Sequence, residues 1–334
     1  MRDGTMFNVF FSLAAALWAA GMAWVPLAQA QGWKPDKVVE LITSSAAGGS
    51  NDQIARVAQN ILQGNKLLPT PLNIANKPGG NQTLAVVYLA QHAADAHYHL
   101  LANPTLQTNF LAGVTPLSHT DFTPVALLLV EHTVISVPAN SPIKTLPDLM
   151  ARLKADPESM VVGIVSRGGP NHLALSQAIK AAGIDPRRVR AVVFKTNTES
   201  MTAMAGGHLQ LVASSLSSAI AQVQAGNARI IAVAAQRRLG GALAQVPTFR
   251  EHGIESWVSN WRGVFGAKGI SAAQLAWWEE TLAQMAATGE WKIQLAQHEW
   301  ENQFLKSREF GKYLQAEYAA TRAIMSELGL VKTQ

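Results

Sequence analysis

Apolar and polar positions along this chain follow one repeated order. A short run rich in β-branched residues comes first, then a loop of glycine and polar residues, then a segment whose apolar positions recur every three to four residues. "VVELIT" (38–43) leads through "SSAAGGS" into a helix that sets Ile54, Val57, Ala58, Ile61 and Leu62 on one face. "LNIANKPGGNQTLAVVYLAQ", "MVVGIVSRGGPNHLALSQAIKAAG" and "VRAVVFKTNTESMTAMAGG" repeat the grammar. Four such units predict an α/β chain with mostly parallel sheets. The units fall into two groups separated by "FTPVALLLVEHTVISVPANSPIKTLPDL", where two apolar runs flank Glu131-His132, which places a chain crossing near 132–140. A return crossing fits "ARIIAVAAQRRLGGALAQVPTFREHG", and from Ser271 onward the pattern predicts helices, with Trp277, Trp278, Leu282 and Met285 at helical spacing and a second amphipathic run over 307–327. The expected organisation is therefore a discontinuous first lobe (31–135 plus 245–334), a second lobe (136–244) and an N-terminal segment of 30 residues, with the lobes joined by crossing segments as in a clamshell.

A loop of small residues running straight into a helix exposes unpaired backbone N–H groups at the positive end of the helix dipole, which suits an anion. Ala46, Ala47, Gly48 and Gly49 have little side chain to shield such amides, and Ser50, Asn51 or Asp52 can cap the helix that follows. A plain capped turn, with Asp52 paired to Arg56 four residues on, explains the same residues. The Asn76–Gln82 loop repeats the chemistry, with Pro78 stiffening it and Gly79-Gly80 baring amides, and Ser166–His172 adds Arg167 as a cation and His172 as a donor. In open α/β sheets such loops converge outside the carboxyl ends of the strands. "SSLSS" (214–218) is either a set of hydroxyl donors or a helix cap.

Composition narrows the function classes. The 334 residues are 48% hydrophobic and 15% charged, as in ordinary globular proteins, with a net charge of +5 and no Lys/Arg run of the kind nucleic-acid binders carry. The apolar stretch 6–27 followed by Ala28-Gln29-Ala30 predicts a signal peptide cleaved after Ala30 and hence export to the periplasm; Arg2 is offset by Asp3, so an uncleaved anchor is the alternative. Cysteine is absent, so export is not accompanied by disulfides. The chain lacks the Walker G-K-[ST], G-x-G-x-x-G, G-x-S-x-G and H-E-x-x-H motifs. His92, His97 and His99 in "QHAADAHYH" sit at a helix end and a turn into a strand, which favours structural roles over a metal. An enzyme using Ser44, Ser45, Asp52 and His172 would need those groups within hydrogen-bond reach of one another.

An ordered set of motifs resembles the periplasmic substrate-binding proteins of tripartite tricarboxylate transporters, the Bordetella uptake gene (Bug) family. "AAGGSNDQIAR" matches A-G-G-x-x-D-x-x-A-R, "NKPGG" matches N-[RK]-P-G-[AG], and "DFTPVALL" matches D-[FL]-x-P-V-A. Ser166, Gly168, His172 and Leu173 match S-x-G-x-x-x-H-L; "AGNARIIAV", "VPTFREHGI" and "WRGVFGAKGIS" follow in family order, so the resemblance covers 33–333. It implies a two-lobe, Venus-flytrap fold of the type II periplasmic binding class, each lobe a mostly parallel sheet flanked by helices, closing without catalysis, metal or cofactor on a small di- or tricarboxylate. By matching position the ligand residues are Ala46, Ala47, Gly48, Gly49 and Asp52 in the first loop, where Ser45 is a further candidate, and Gly79, Gly80 and Asn81 in the second. Ser166, Arg167, Gly168, Gly169 and His172 belong to the opposite lobe; Thr105 and Ser215 are further candidates, and Lys195 is either a ligand contact or a structural residue beneath the site. Membrane permease subunits are the implied partners, and a monomer is expected. The chain departs from the family at Val193-Phe194-Lys195-Thr196, where V-P-[YF]-K-G is usual, and at Pro170. These departures bear on the ligand, leaving open an aromatic carboxylate, an amino acid or an amide, or a role as a sensor for a membrane signalling protein.

Overall fold

A computed structural model describes residues 32–254 and 258–332. The expected signal segment, 1–30, lies outside the described residues. From Lys34 onward the chain forms one unit built on two sheets.

The first sheet has six strands: β1 (Val39–Thr43), β2 (Leu72–Asn76), β3 (Tyr98–Ala102), β4 (Thr123–Glu131), β10 (Asn260–Gly266) and β11 (Glu301–Lys306), in the order β11-β4-β10-β3-β1-β2. β1 pairs in parallel with β2 and β3, whereas β10 runs against both β3 and β4, and β11 against β4. The second sheet orders β5 (Thr133–Pro138), β6 (Val161–Ile164), β7 (Arg190–Val193), β8 (Leu211–Ser215) and β9 (Ala228–Ala234) as β7-β6-β8-β5-β9. Here β5 alone runs against its neighbours β8 and β9. Each sheet is thus mostly one-directional; of the reversed strands, β10 and β5 begin just after the chain has crossed from the other sheet, and β11 is the edge strand contributed by the tail.

The central strands read as continuous apolar runs because both of their faces are covered. Along β5, Val134 packs with Met201, Met204 and Leu216, while Ile135 and Val137 point the other way, into a cluster with Leu149, Leu173 and Ile179. The chain leaves the first sheet at Glu131 and enters the second at Thr133, then returns between Ala234 and Asn260. Within that return, Phe249, Ile254 and Val258 pack into the core of the second sheet.

The helices that follow strands α/β fashion are α1 (Ser50–Gly64), α2 (Thr83–Ala90), α3 (Thr105–Leu111), α4 (Leu146–Ala155), α5 (Pro170–Ala181), α6 (Asn197–Ala205) and α7 (Leu216–Gln224). The tail contributes α8 (Ala272–Ala287), α9 (Gly289–Gln297) and α10 (Ser307–Glu327), with β11 inserted where the helical pattern of the sequence gives no strand signal. α10 belongs to both cores: Phe310 and Leu314 pack under the first sheet, and Ile324 and Met325 pack with the second.

Candidate functional site

Two strand-to-helix loops, one per sheet, are built alike. After β1, Ser44–Gly49 leads into α1; after β6, Val165–Gly169 leads into α5. Gly48 and Gly168 both adopt the left-handed region, at φ +79° and +75°. The next residues, Gly49 and Gly169, are extended helix caps at φ/ψ of −79°/165° and −73°/167°. The Gly49 amide donates to the Ala46 carbonyl at 3.0 Å and the Gly169 amide to the Ser166 carbonyl at 3.2 Å. Four residues beyond each left-handed glycine a side chain closes the turn: the Gly48 amide donates to Asp52 Oδ2 at 2.8 Å, and the Gly168 amide to His172 Nδ1 at 3.0 Å. Each helix then places a buried asparagine, Asn51 or Asn171, second in its first turn. First-turn amides have no intrahelical acceptor, so each helix start leaves donors outside its ladder, fewer in α5, where Pro170 carries no N–H.

The helix caps differ from expectation. Gly49 caps α1 through its backbone, with no side-chain cap bond, and Asp52 faces back into its loop instead. Asp52 accepts from Gly48, from Arg56 Nε at 2.8 Å and from Asn76 Nδ2 at 2.8 Å. Burial pushes the Asp52 carboxyl up, but these hydrogen bonds outweigh it and hold the group below its ordinary range. Burial, reinforced by the Arg167 charge, lowers His172 to about 4, so at neutral pH it is an uncharged imidazole whose Nδ1 accepts the loop amide. Asp52 and His172 are therefore each committed to their own loop, and no nucleophile–base pair is formed by them.

The two loops and the ends of neighbouring strands border a partly open cavity of about 70 Å³. Seven of the expected residues line it: Ser45, Gly49, Thr105, Ser166, Gly169, Lys195 and Ser215. Ala46, Ala47, Gly48, Asp52, Gly79, Gly80, Asn81, Arg167, Gly168 and His172 do not reach its wall. Several of these instead lie on the seam between the lobes: Asn81 Nδ2 donates to the Arg167 carbonyl at 3.5 Å, and Thr198 Oγ1 to the Gly48 carbonyl at 3.5 Å. Arg167 turns its guanidinium to the Ala191 carbonyl at 2.9 Å. In "SSLSS", Ser215 occupies the N-cap position of α7 without a side-chain cap bond and lines the cavity, while Ser218 Oγ lies 3.4 Å from Ser50 Oγ across the seam.

The sequence reading missed a set of asparagines and one arginine. Asn51, Asn103, Asn171, Asn197, Asn260 and Arg262 all line the cavity. Arg262 lies on β10 and is nearly inaccessible; it is paired with the equally buried Glu131 at the end of β4. Glu131 also accepts from Ser217 Oγ at 2.5 Å and Trp300 Nε1 at 3.2 Å. A signal for this pair exists in the sequence: two apolar runs, "VALLLVEHTVISV" and "WRGVFG", are each broken by one charge, of opposite sign. The histidine cluster lies elsewhere, at the other end of β3. His97 pairs with Asp95, His92 stacks on Tyr98 at 3.5 Å, and His99 packs edge-on against Trp278.

Chemically the cavity offers hydroxyl, carboxamide and amide donors with one ammonium, Lys195, and its guanidinium is already neutralised by Glu131. The family described as "Tripartite tricarboxylate transporter family receptor" matches residues 54–330. The UPF0065 protein in the gbd 5' region of Cupriavidus necator is 27% identical over 324 residues, 96% of this chain and 97% of that one. BugT of Bordetella pertussis is 24% identical over 252 residues, 70% of this chain and 72% of that one. Among solved structures, an R. palustris protein with adipate matches at a TM-score of 0.81 with 23% identity, covering 89% of this chain and 99% of that one. MatC from Rhodopseudomonas palustris with bound malate matches at 0.78 with 20% identity, covering 87% and 99%.

Proposed function

The chain belongs to the tripartite tricarboxylate transporter receptor family, and from that premise we propose that it captures a small di- or tricarboxylate between its lobes in the periplasm and delivers it to membrane permease subunits. Its family consists of solute-binding proteins rather than enzymes. The observation that supports the ligand class is the pair of matched glycine loops whose helices both start at one cavity, Gly49, Ser50 and Asn51 lining it from the first lobe and Gly169, Pro170 and Asn171 from the second. Two helix N-termini at one cavity favour a ligand with negative charge, and a hydrogen bond to a charged acceptor contributes about 1.5 to 3 kcal/mol. In this reading Ser45, Gly49, Thr105, Ser166, Gly169, Lys195 and Ser215 touch the ligand, while Asp52 and His172 hold the loops in shape. The second lobe then extends to about Val258, because the return segment packs on its sheet. Ligand binding selects the closed arrangement by bonding to both lobes at once, since only differential affinity shifts such an equilibrium.

Isothermal titration with a panel of di- and tricarboxylates, adipate and malate among them, tests the reading. Saturable binding of at least one member is expected. Binding of an amide or a cationic compound with no response to any carboxylate would overturn it.

A further inference from the structure

We infer that Arg262 is a positioning residue that fixes the direction of a relay of asparagines and so makes the second-lobe wall of the cavity a surface of hydrogen-bond donors. The inference rests on the carboxylate reading and says how the site tells a carboxylate from an amide of the same skeleton.

The relay follows from valence. A guanidinium carries donors only and stays protonated in proteins. Arg262 Nη1 lies 2.6 Å from Asn260, so the atom that meets it is Oδ1, and it also binds the Asn260 carbonyl at 3.1 Å. Asn260 Nδ2 must therefore face the other way, and it donates to Asn171 Oδ1 at 3.4 Å and Ser215 Oγ at 3.2 Å. Asn171 Oδ1 also accepts from Thr133 Oγ1 at 2.7 Å, which turns Asn171 Nδ2 toward Asn197 Oδ1 at 3.4 Å. Asn197 Nδ2 in turn donates to Ser215 Oγ at 3.4 Å.

Ser215 Oγ now accepts from two carboxamides, Asn260 and Asn197, so its own proton has to point out of the relay. Every side-chain oxygen of the relay has taken a donor. The groups left over are the Ser215 hydroxyl proton and the second amide protons of Asn171 and Asn197, and all three residues line the cavity. A carboxylate oxygen finds partners on this wall. A carboxamide NH2 set against these three protons meets donors, and the unmatched pair of buried groups is what penalises it. Glu131 makes the arrangement possible by neutralising Arg262 below the relay, so its charge does not dominate the site.

The test compares adipate with adipamide, and malate with malamide, by titration on the exported chain and two variants. Native protein is expected to prefer each carboxylate to its diamide. Glu131→Gln with Arg262→Met removes the orienting donors without stranding a buried carboxylate. It should narrow that preference by about tenfold or more while the circular dichroism spectrum is retained. Arg262→Lys, which still offers donors only, should keep the preference. A preference in the double variant within about twofold of native, or an equal loss in Arg262→Lys, overturns the inference. A neutron structure of the ligand-free native protein judges the relay without any ligand. A Ser215 deuteron on the cavity side is the expected result, and one directed at Asn197 or Asn260 overturns it. Native protein that binds no carboxylate refutes the proposed function and leaves the relay to the neutron map. Native protein that prefers the diamides refutes both.

Discussion

Gln82 holds φ at +80° immediately before α2, a conformation that costs a side-chain-bearing residue about 1 kcal/mol or more. Its side chain is buried, and neither Oε1 nor Nε2 has a hydrogen-bond partner among the described residues. Local strain and two unsatisfied polar atoms therefore coincide at one position that does not line the cavity. Gln82→Gly removes both, at the smaller cost of a more flexible unfolded chain, and is expected to stabilise the fold by about 1 kcal/mol, or roughly 2 °C in thermal midpoint. A scanning calorimetry trace with an unchanged or lowered midpoint would show that the side chain contributes more through packing than it loses. Gly48 and Gly168 are the opposite case, because there glycine already occupies the left-handed position the turn demands.

Between elements, the first sheet presses against α10 where Gly263 lies over Phe310. A methyl group added at Gly263 of β10 would overlap the ring of Phe310, which is fully buried beneath the sheet. Gly263→Ala should therefore destabilise the protein by about 2 to 3 kcal/mol through overpacking, read as a lower urea midpoint at constant slope; a midpoint equal to native would mean that α10 shifts freely. This packing accounts for the first glycine of "WRGVFG", Gly263, which the sequence offers only as part of a motif. The strand–loop–helix units over residues 38–64 and 160–183 were legible because small-residue loops and 3.6-residue periodicity are local properties. β11 was not: "ENQFLK" is polar and partly exposed, and it becomes a strand only because the edge of β4 pairs with it. The cavity divides along the same line. Its glycine loops stand out in sequence, whereas Asn260 and Arg262 reach the cavity through a strand that returns from the other lobe, and their role depends on Glu131, 131 residues from Arg262.

For the whole molecule, acid works against the fold from both lobes. His99, in the first sheet beside Trp278, and His172, at the start of α5, are both held near 4 against an ordinary 6.5, chiefly by burial. His119, His132 and His298 are also lowered by burial. Between pH 6.5 and 4 the unfolded chain binds protons that the folded chain refuses, so stability is highest above 6.5 and falls on acidification. Asp52 and Asp95 extend the decline: the stability they add above their ordinary 3.8 is lost as pH falls through their depressed values. His172→Asn isolates one contribution, because an asparagine oxygen can still accept the Gly168 amide but does not titrate. Urea unfolding of native protein and this variant from pH 4 to 7 should give a shallower dependence in the variant, by up to about 1.4 kcal/mol per pH unit where His172 titrates. Parallel curves would mean that His172 opens to solvent well before the fold is lost, so that its loop, and with it one half of the cavity, yields independently of the core.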